Sequence, residues 1–501
     1  MIFAANSGKL FLFSAAICPA WMWVLGTGVL CAQEPARPKP AAARPPNIIF
    51  ILVDDFGWTD VGCYGSKFYE TPHIDRLASQ GMRFTDAYSA CTVCSPARAA
   101  VMTGKYPARL HITDWIAGHQ RPFAKLKIPD WTKRLPLEET TLAEALAAEG
   151  YATAHVGKWH LGGEEFAPTK QGFGLNVGGT SAGAPPSYFY PYNGRPNNKK
   201  RPPGPPLPGL DYGSREEYLT DRLADEAVQF ITRNHDKPFF LYLPHFAVHT
   251  PLQAKADLVA KYQAKADPNN PQHNATYAAM LESLDDSIER IMTRLETLKL
   301  VENTIVVFTG DNGGLMLNEV TSNAPLRSGK GSVYEGGVRV PLIVRYPPLV
   351  KAGSTCATPV MSIDYFPTLL ELAGVKPAGK SAVDGVSIAN VLKDPTAKLD
   401  RETLYWHYPH YHPGGAAPYG AIRDGDYRLI EFFEDNRLEL YNLSEDIGET
   451  IDLSTKQPDK RDALRSKLHA WRASVGAQMP TPNPDFAPAK EKQKAAAKAG
   501  K

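Results

Sequence analysis

The amino-acid sequence predicts an α/β fold: a large, mostly parallel sheet flanked by helices, with a small antiparallel sheet towards the C-terminus. Three observations carry this. Continuous apolar, β-branched runs recur between residues 47 and 308, the pattern of strands buried on both faces. Amphipathic helical stretches separate them, which is the alternation of βα units. From about Leu404 the pattern changes to short strands broken by turns. At 501 residues the chain exceeds one ordinary core, so a large domain and a smaller one are expected.

The first run, Asn47–Val53, reads as a buried parallel strand ending in Asp54-Asp55. Residues 73–80 read as a short helix stopped by Gly81. Residues 141–148 form a helix followed by a strand at 151–156. Leu219–Arg233 is an amphipathic helix leading through Pro238 into a strand at 239–243. Residues 277–298 form a long amphipathic helix, and 304–308 another buried strand, followed by Asp311-Asn312. Ligands of such sheets bind beyond the carboxyl ends of the strands, so the two acidic pairs, distant in sequence, are placed at one edge. Residues 162–215 are rich in Gly and Pro and carry Tyr188-Phe189-Tyr190-Pro191-Tyr192 with Arg195, Lys199, Lys200 and Arg201; the segment is either a substrate-lining insertion or a surface loop. Strands follow at 420–423, 427–433 and 437–441, with a turn at Asp424-Gly425 and a closing helix at 460–475. The expected organisation is a signal peptide at 1–32, a Pro/Ala-rich linker at 33–46, a main domain at 47–400, an α+β subdomain at 401–479 and a flexible basic tail at 480–501.

Hydrophobic residues make up 43% and charged residues 22%, a globular composition. The net charge of +2 is unevenly placed: residues 1–46 carry +3 and 490–501 carry +4, which leaves −5 on the body between them. A nucleic-acid partner is therefore not expected. Lys9 before the apolar residues 10–30, with small residues up to Ala32, reads as an export signal, placing the protein in the periplasm or outside the cell; an N-terminal anchor is the alternative. Past the leader, no stretch approaches about 20 uninterrupted apolar residues, so no stable membrane span is expected after cleavage. Cys63, Cys91, Cys94 and Cys356 remain beyond the leader. Cys91 and Cys94 have redox spacing but lack a thioredoxin-like context, and Cys63 and Cys91 are either small buried residues or disulfide partners.

Asp54, Asp55, Asp311 and Asn312 offer three carboxylates and an amide, an oxygen donor set suited to Ca²⁺ or Mg²⁺ rather than Zn²⁺. Their company is specific. Cys94-Ser95-Pro96-Ala97-Arg98 runs on to Thr103-Gly104; Gly157-Lys158-Trp159-His160-Leu161-Gly162 and His249-Thr250-Pro251 each follow a strand; Lys330 precedes Tyr334-Glu335-Gly336-Gly337. These blocks, in this order, together with Ser362-Ile363-Asp364-Tyr365, resemble the type I sulfatases over residues 47–453. The resemblance implies the alkaline-phosphatase-like fold, a large mixed sheet with a small C-terminal one. It implies that Cys94 is oxidised to formylglycine by a formylglycine-generating enzyme, and that the hydrated aldehyde is the nucleophile. It further implies that Asp54, Asp55, Asp311, Asn312 and the modified Cys94 hold a metal, usually calcium. By the same resemblance Arg98 stabilises the hydrate, Lys158 and Lys330 contact the sulfate, His160 hydrogen-bonds the diol and His249 faces the leaving oxygen. Ala97 departs from the Ser or Thr frequent in the family.

The expected substrate is a sulfated saccharide or an aryl sulfate, with galactose or N-acetylgalactosamine sulfates favoured by the blocks around His249 and Tyr405. Specificity is expected from residues 162–215 and from Tyr405-Trp406-His407-Tyr408-Pro409-His410-Tyr411-His412, which either line the rim or pack the two subdomains together. The rival readings are a phosphonate or phosphate ester hydrolase of the same superfamily, and a silent glycan-binding protein with an unmodified Cys94.

Overall fold

The computed structural model describes residues 44–193, 206–376, 382–488 and 490. The expected leader, the linker up to residue 43, Arg195, Lys199, Lys200, Arg201 and residues 491–501 lie outside the described residues. The main sheet has eight strands: β1 (Asn47–Val53), β2 (Met82–Phe84), β3 (Ala152–Val156), β4 (Leu175–Val177), β5 (Phe239–Pro244), β6 (Thr304–Gly310), β7 (Leu342–Arg345) and β8 (Ser354–Cys356). Their spatial order is β8-β2-β7-β6-β1-β5-β3-β4. Only β7 runs antiparallel to its neighbours, so the sheet is mixed and mostly parallel.

β1 lies at the centre, with Ile49 in register with Leu241 of β5 and Val306 of β6. All seven of its residues are buried, and alternate side chains enter two separate cores. Helices α1 (Pro72–Gln80), α2 (Cys94–Thr103), α3 (Leu142–Ala148), α4 (Leu219–Arg233), α5 (Ala275–Thr297) and α6 (Tyr365–Leu372) cover the faces. Ile49, Ile51 and Val53 pack with Leu77 of α1, Leu223 and Ile231 of α4 and Leu284 and Ile288 of α5. Ile48, Phe50 and Leu52 pack with Val101 of α2, Leu146 of α3 and Leu369 of α6. Each such side chain contributes about 1.5–3 kcal/mol of burial. Thr141 caps α3 reciprocally with Glu144, each side chain accepting from the other's backbone N–H. Gly81 ends α1 because β7 passes close: a Cβ there would stand 2.5 Å from the Val344 carbonyl oxygen.

The C-terminal sheet is antiparallel and ordered as in sequence: β9 (Thr403–Tyr408), β10 (Tyr419–Asp424), β11 (Tyr427–Phe432) and β12 (Leu438–Asn442), with helix α7 (Pro458–Ser474) against it. Gly425, at φ 58°, makes the tight turn between β10 and β11. A buried ionic network joins this sheet to the main body. Glu335 accepts from Arg428, from Arg339 at 3.0 Å and from Tyr88 at 2.8 Å, and Asp86 pairs with Arg339 and Arg423, each at 2.8 Å. Trp406 of β9 donates to the Ser89 carbonyl at 2.8 Å and Tyr408 to Asp114 at 2.7 Å, so this half of the aromatic block packs the two parts together. Tyr188 and Tyr192 are likewise buried in the core beside α4, while β4 extends the sheet at its edge. Much of the 162–193 segment is thus structural. Among the described residues no helix is long and apolar enough to cross a membrane.

Candidate active site

The carboxyl ends of β1 and β6 bring Asp54, Asp55, Asp311 and Asn312 together, all buried. The Asp55 N–H donates to Asp311 Oδ1 at 3.2 Å, and Asn312 Nδ2 donates to Asp55 Oδ1 at 2.9 Å. Asp55 holds a left-handed backbone, φ 57°, which turns its carboxylate back into the cluster. So does His160, φ 58°. Such conformations cost on the order of 1–3 kcal/mol and persist only where surrounding structure enforces them.

Cys94 is the first residue of α2, and Arg98 lies one turn on, so the i, i+4 spacing puts both on one helix face. The helix N-terminus favours an anion beside residue 94. Arg98 donates to Asp311 Oδ2 from Nε at 3.0 Å and Nη2 at 2.7 Å, and to the Lys158 carbonyl at 3.0 Å. Its donors thus orient Asp311 and the Lys158 backbone rather than residue 94 directly. Lys158 donates from Nζ to Asp54 Oδ2 at 2.6 Å, and Lys330 lies 2.7 Å from Asp55 Oδ1. Gly157 precedes Lys158 with φ 129°, where a Cβ would stand 2.0 Å from the Pro244 oxygen; only glycine lets β3 and β5 meet there.

Cys94 Sγ lies 3.3 Å from His160 Nδ1. His160 Nε2 donates to the Ile116 carbonyl, which leaves Nδ1 as the acceptor facing residue 94. Ser95 closes this arrangement, donating to the His160 carbonyl at 2.9 Å and accepting from Ile116 N–H at 3.1 Å. His249 Nδ1 is bonded to the Thr250 carbonyl at 2.7 Å, so Nε2 faces Asp55 Oδ2, 3.6 Å away. Burial and the Lys158 charge hold His160 neutral, and burial and the Lys330 charge lower His249 against the pull of Asp55.

The two adjacent aspartates differ. Burial pushes Asp54 up to about 7; Lys158 and Arg98 oppose this, while Asp311 and Asp55 add to it. Burial also raises Asp55, but Lys330, His249 and Lys158 outweigh it and hold that carboxyl well below the usual range. Two buried oxygens, Asp54 Oδ1 and Asn312 Oδ1, accept no hydrogen bond. Buried acceptors left this way are costly, and both belong to the oxygen donor set that suits a hard divalent cation. Ligand atoms of Asp54, Asp55 and His249 also lie within 4.8 Å of one another, which adds His249 to the residues facing such an ion.

A cavity of about 600 Å³ opens over Cys94, His160, His249 and Lys330. Trp115, Ile116, Gly183, His412 and the exposed Met316 and Leu317 wall it. His412 and Gly183 fall in the two segments expected to form the rim. Ser95 was legible only as part of the motif, and Trp115, Ile116, Met316 and Leu317 carry no sequence signal of their own. Cys63, Cys91, Cys94 and Cys356 are free thiols, and Cys91 is buried. Burial raises the Cys94 thiol, with Lys158 and Lys330 opposing, so as a plain thiol it is a poor nucleophile.

The chain matches the Sulfatase family over residues 46–375 and the N-sulphoglucosamine sulphohydrolase C-terminal family over residues 329–474. It is 36% identical to a sulfatase of Formosa agariphila, spanning 87% of this chain and 90% of that one. It is 34% identical to human N-acetylgalactosamine-6-sulfatase, spanning 73% and 69%. It superposes on the crystal structure of Ps i-CgsB in complex with k-i-k-neocarrahexaose with a TM-score of 0.73 at 30% identity, covering 90% of this chain and 98% of that one. With the family matched over more than half its length, the chain belongs to the sulfatases, the sulfuric ester hydrolases.

Proposed function

We propose that the protein is an exported sulfatase acting on O-sulfated carbohydrates of the galactose or N-acetylgalactosamine type, with formylglycine at position 94 and calcium, or magnesium in its place, at Asp54, Asp55, Asp311 and Asn312. The observation that carries this reading is the clustering of Cys94, His160, Lys158 and Lys330 about the buried Asp54, Asp55, Asp311 and Asn312, where Asp54 Oδ1 and Asn312 Oδ1 accept no hydrogen bond. A relative named N-acetylgalactosamine-6-sulfatase and a similar structure solved in complex with k-i-k-neocarrahexaose support the substrate class. Lys9 and the apolar residues 10–30 support export.

Cys94 Sγ stands where a diol oxygen of formylglycine would be. Formylglycine supplies a hydrated aldehyde, one hydroxyl to attack sulfur and a second to release the sulfate afterwards. A divalent cation would neutralise sulfate charge and acidify the attacking hydroxyl. The chain's own residues do the rest. Lys158 and Lys330 are compact, movable cations that neutralise the sulfate oxygens once it enters. His160, neutral and fixed by Ile116, offers Nδ1 to take a proton from the second hydroxyl. His249, tied through Nδ1 to Thr250, presents Nε2 towards the leaving oxygen; negative charge of the bound ester favours the proton it delivers there. Arg98 and Ser95 hold Asp311 and His160 in place.

The test is desulfation of defined galactose and N-acetylgalactosamine sulfates by protein matured with a formylglycine-generating enzyme, alongside p-nitrophenyl sulfate, phosphate and phenylphosphonate esters. Turnover of the sugar sulfates above the phosphorus esters supports the reading. Phosphorus esters turned over far faster than any sulfate overturn it.

A further inference from the structure

A second cavity, about 590 Å³, lies beside the first, within the range of about 300–1,000 Å³ that small-ligand sites occupy. Two chain segments pass from the lining of one cavity to that of the other. Trp115 and Ile116 line the first cavity, and Gln120 to Pro122 line the second. His412, Pro413 and Gly414 line the first; their neighbours His410 and Tyr411 touch the lining of the second, His410 against Trp131 with ring centroids 5.6 Å apart and Tyr411 under the Arg121 guanidinium at 4.8 Å. The C-terminal strand 481–482 pairs with 126–127, and Asn483 donates to the Pro122 and Ala124 carbonyls at 2.9 and 2.7 Å, so the floor is fixed.

The chemistry of this cavity is polar and basic. Arg121, Lys127 and Lys133 line it against Asp130 and Asp485, and Trp131 supplies an apolar ring, with Lys133 Nζ 5.4 Å from its centroid. Residues 121–134 carry five basic side chains and one acidic one, a net +4 on a body that is −5 overall. None of these residues is in the lining of the first cavity. A cavity lined by three basic and two acidic side chains around an aromatic ring, on a basic segment that leads from the sulfate-ester site, suits a sulfated sugar on the same chain.

We propose that the second cavity binds a further sulfated unit of an oligosaccharide while another sulfate ester of that molecule sits at Cys94. The substrate is then a sulfated oligo- or polysaccharide rather than a monosaccharide sulfate. This rests on the carbohydrate sulfatase reading above and extends it.

The test compares wild type with Lys127→Ala/Lys133→Ala, both exposed positions, and with Trp131→Phe as a milder second variant. Binding is measured in the Cys94→Ala background by calorimetry, with a carrageenan hexasaccharide, a chondroitin sulfate hexasaccharide and their desulfated forms as probes. Turnover of p-nitrophenyl sulfate and of the hexasaccharides is measured in the matured enzyme. The expected result is a loss of hexasaccharide affinity, and a matching rise in KM, of about tenfold in the double variant. Turnover of p-nitrophenyl sulfate stays as in wild type. Equal affinity in wild type and double variant, or no preference of wild type for the sulfated over the desulfated hexasaccharides, overturns the proposal. The sulfatase reading itself fails separately, as absent turnover of p-nitrophenyl sulfate and every sugar sulfate.

Discussion

Two buried clusters of ionisable groups among the described residues each set three carboxyl groups against three basic ones. At the active site Asp54, Asp55 and Asp311 face Arg98, Lys158 and Lys330. Between the main body and the C-terminal sheet Asp86, Glu335 and Glu449 face Arg339, Arg423 and Arg428. The clusters differ in their cations and in their leftover atoms. The interface uses only arginine, whose rigid fork satisfies several acceptors at once, and its unbonded atoms, Arg428 Nε and Glu449 Oε1, face each other at 3.5 Å. The active site uses two lysines, movable point charges; of its two buried oxygens without a hydrogen bond, Asp54 Oδ1 lies 3.6 Å from Arg98 Nη2, and Asn312 Oδ1 has no hydrogen-bond partner. One cluster is internally complementary and holds two parts together. The other keeps an amide oxygen, Asn312 Oδ1, without a hydrogen bond and holds its carboxylates partly with lysines, an arrangement that suits the proposed metal and anion.

The largest test of that contrast is on activity. Asp54→Asn should lower kcat/KM by at least about 10³-fold and abolish calcium binding, because it removes a charge that the metal and the sulfate site both need. Calorimetry with Ca²⁺ and p-nitrophenyl sulfate kinetics read it out. Calcium affinity equal to wild type would remove Asp54 from the metal set. Chelation should act alike: EDTA-treated protein loses turnover and melts at lower temperature, and added Ca²⁺ restores both.

Next in size is stability. Arg428→Met leaves Glu335 and Glu449 buried with fewer partners and should cost about 3–5 kcal/mol in urea unfolding, while folded protein retains its turnover. Lys330→Met, by contrast, should cost turnover by about 10²-fold or more and, in protein saturated with Ca²⁺ to neutralise Asp55 in its place, cost less stability than Arg428→Met. If both variants lost stability equally, the distinction between the clusters would collapse.

The smallest effect is in pH. Burial raises Glu449 from 4.5 to about 8; Arg428 opposes the shift and the Glu335 charge adds to it. The folded state therefore binds a proton that the unfolded chain releases between those values, so this group's contribution to stability falls as pH rises through the window. Glu449→Gln keeps the acceptor for the Glu335 N–H, and its melting temperature should decline less steeply between about pH 5 and 8 than that of wild type. Parallel pH profiles would show that Glu449 is charged in the fold.

The four main-sheet strands legible in the sequence, β1, β3, β5 and β6, are contiguous, in the order β6-β1-β5-β3. They are buried on both faces, so their residues read as continuous apolar runs. The four peripheral strands are three or four residues long and gain their conformation from pairing, which leaves no periodic signal. The active site was legible for a related reason. Asp54, Asp55, Asp311 and Asn312 stand past central strands, and Cys94 and Arg98 share one helical turn. Ile116, which fixes the His160 tautomer through a backbone carbonyl, was not, since any residue type supplies that atom. The aromatic block at 405–412 divided between both expected uses: Trp406 and Tyr408 bond the C-terminal sheet to the main body, while His412 reaches the cavity.

In the proposed reaction the nucleophile at position 94 is an oxygen of formylglycine. The most direct test is the intact mass of the proteolytic peptide containing Cys94, measured on protein whose sulfatase turnover has been determined. Exchange of the thiol for an aldehyde lowers that mass by about 18 Da, and the converted fraction should scale with kcat across preparations. Full turnover from a preparation in which Cys94 is entirely unmodified thiol would contradict the account.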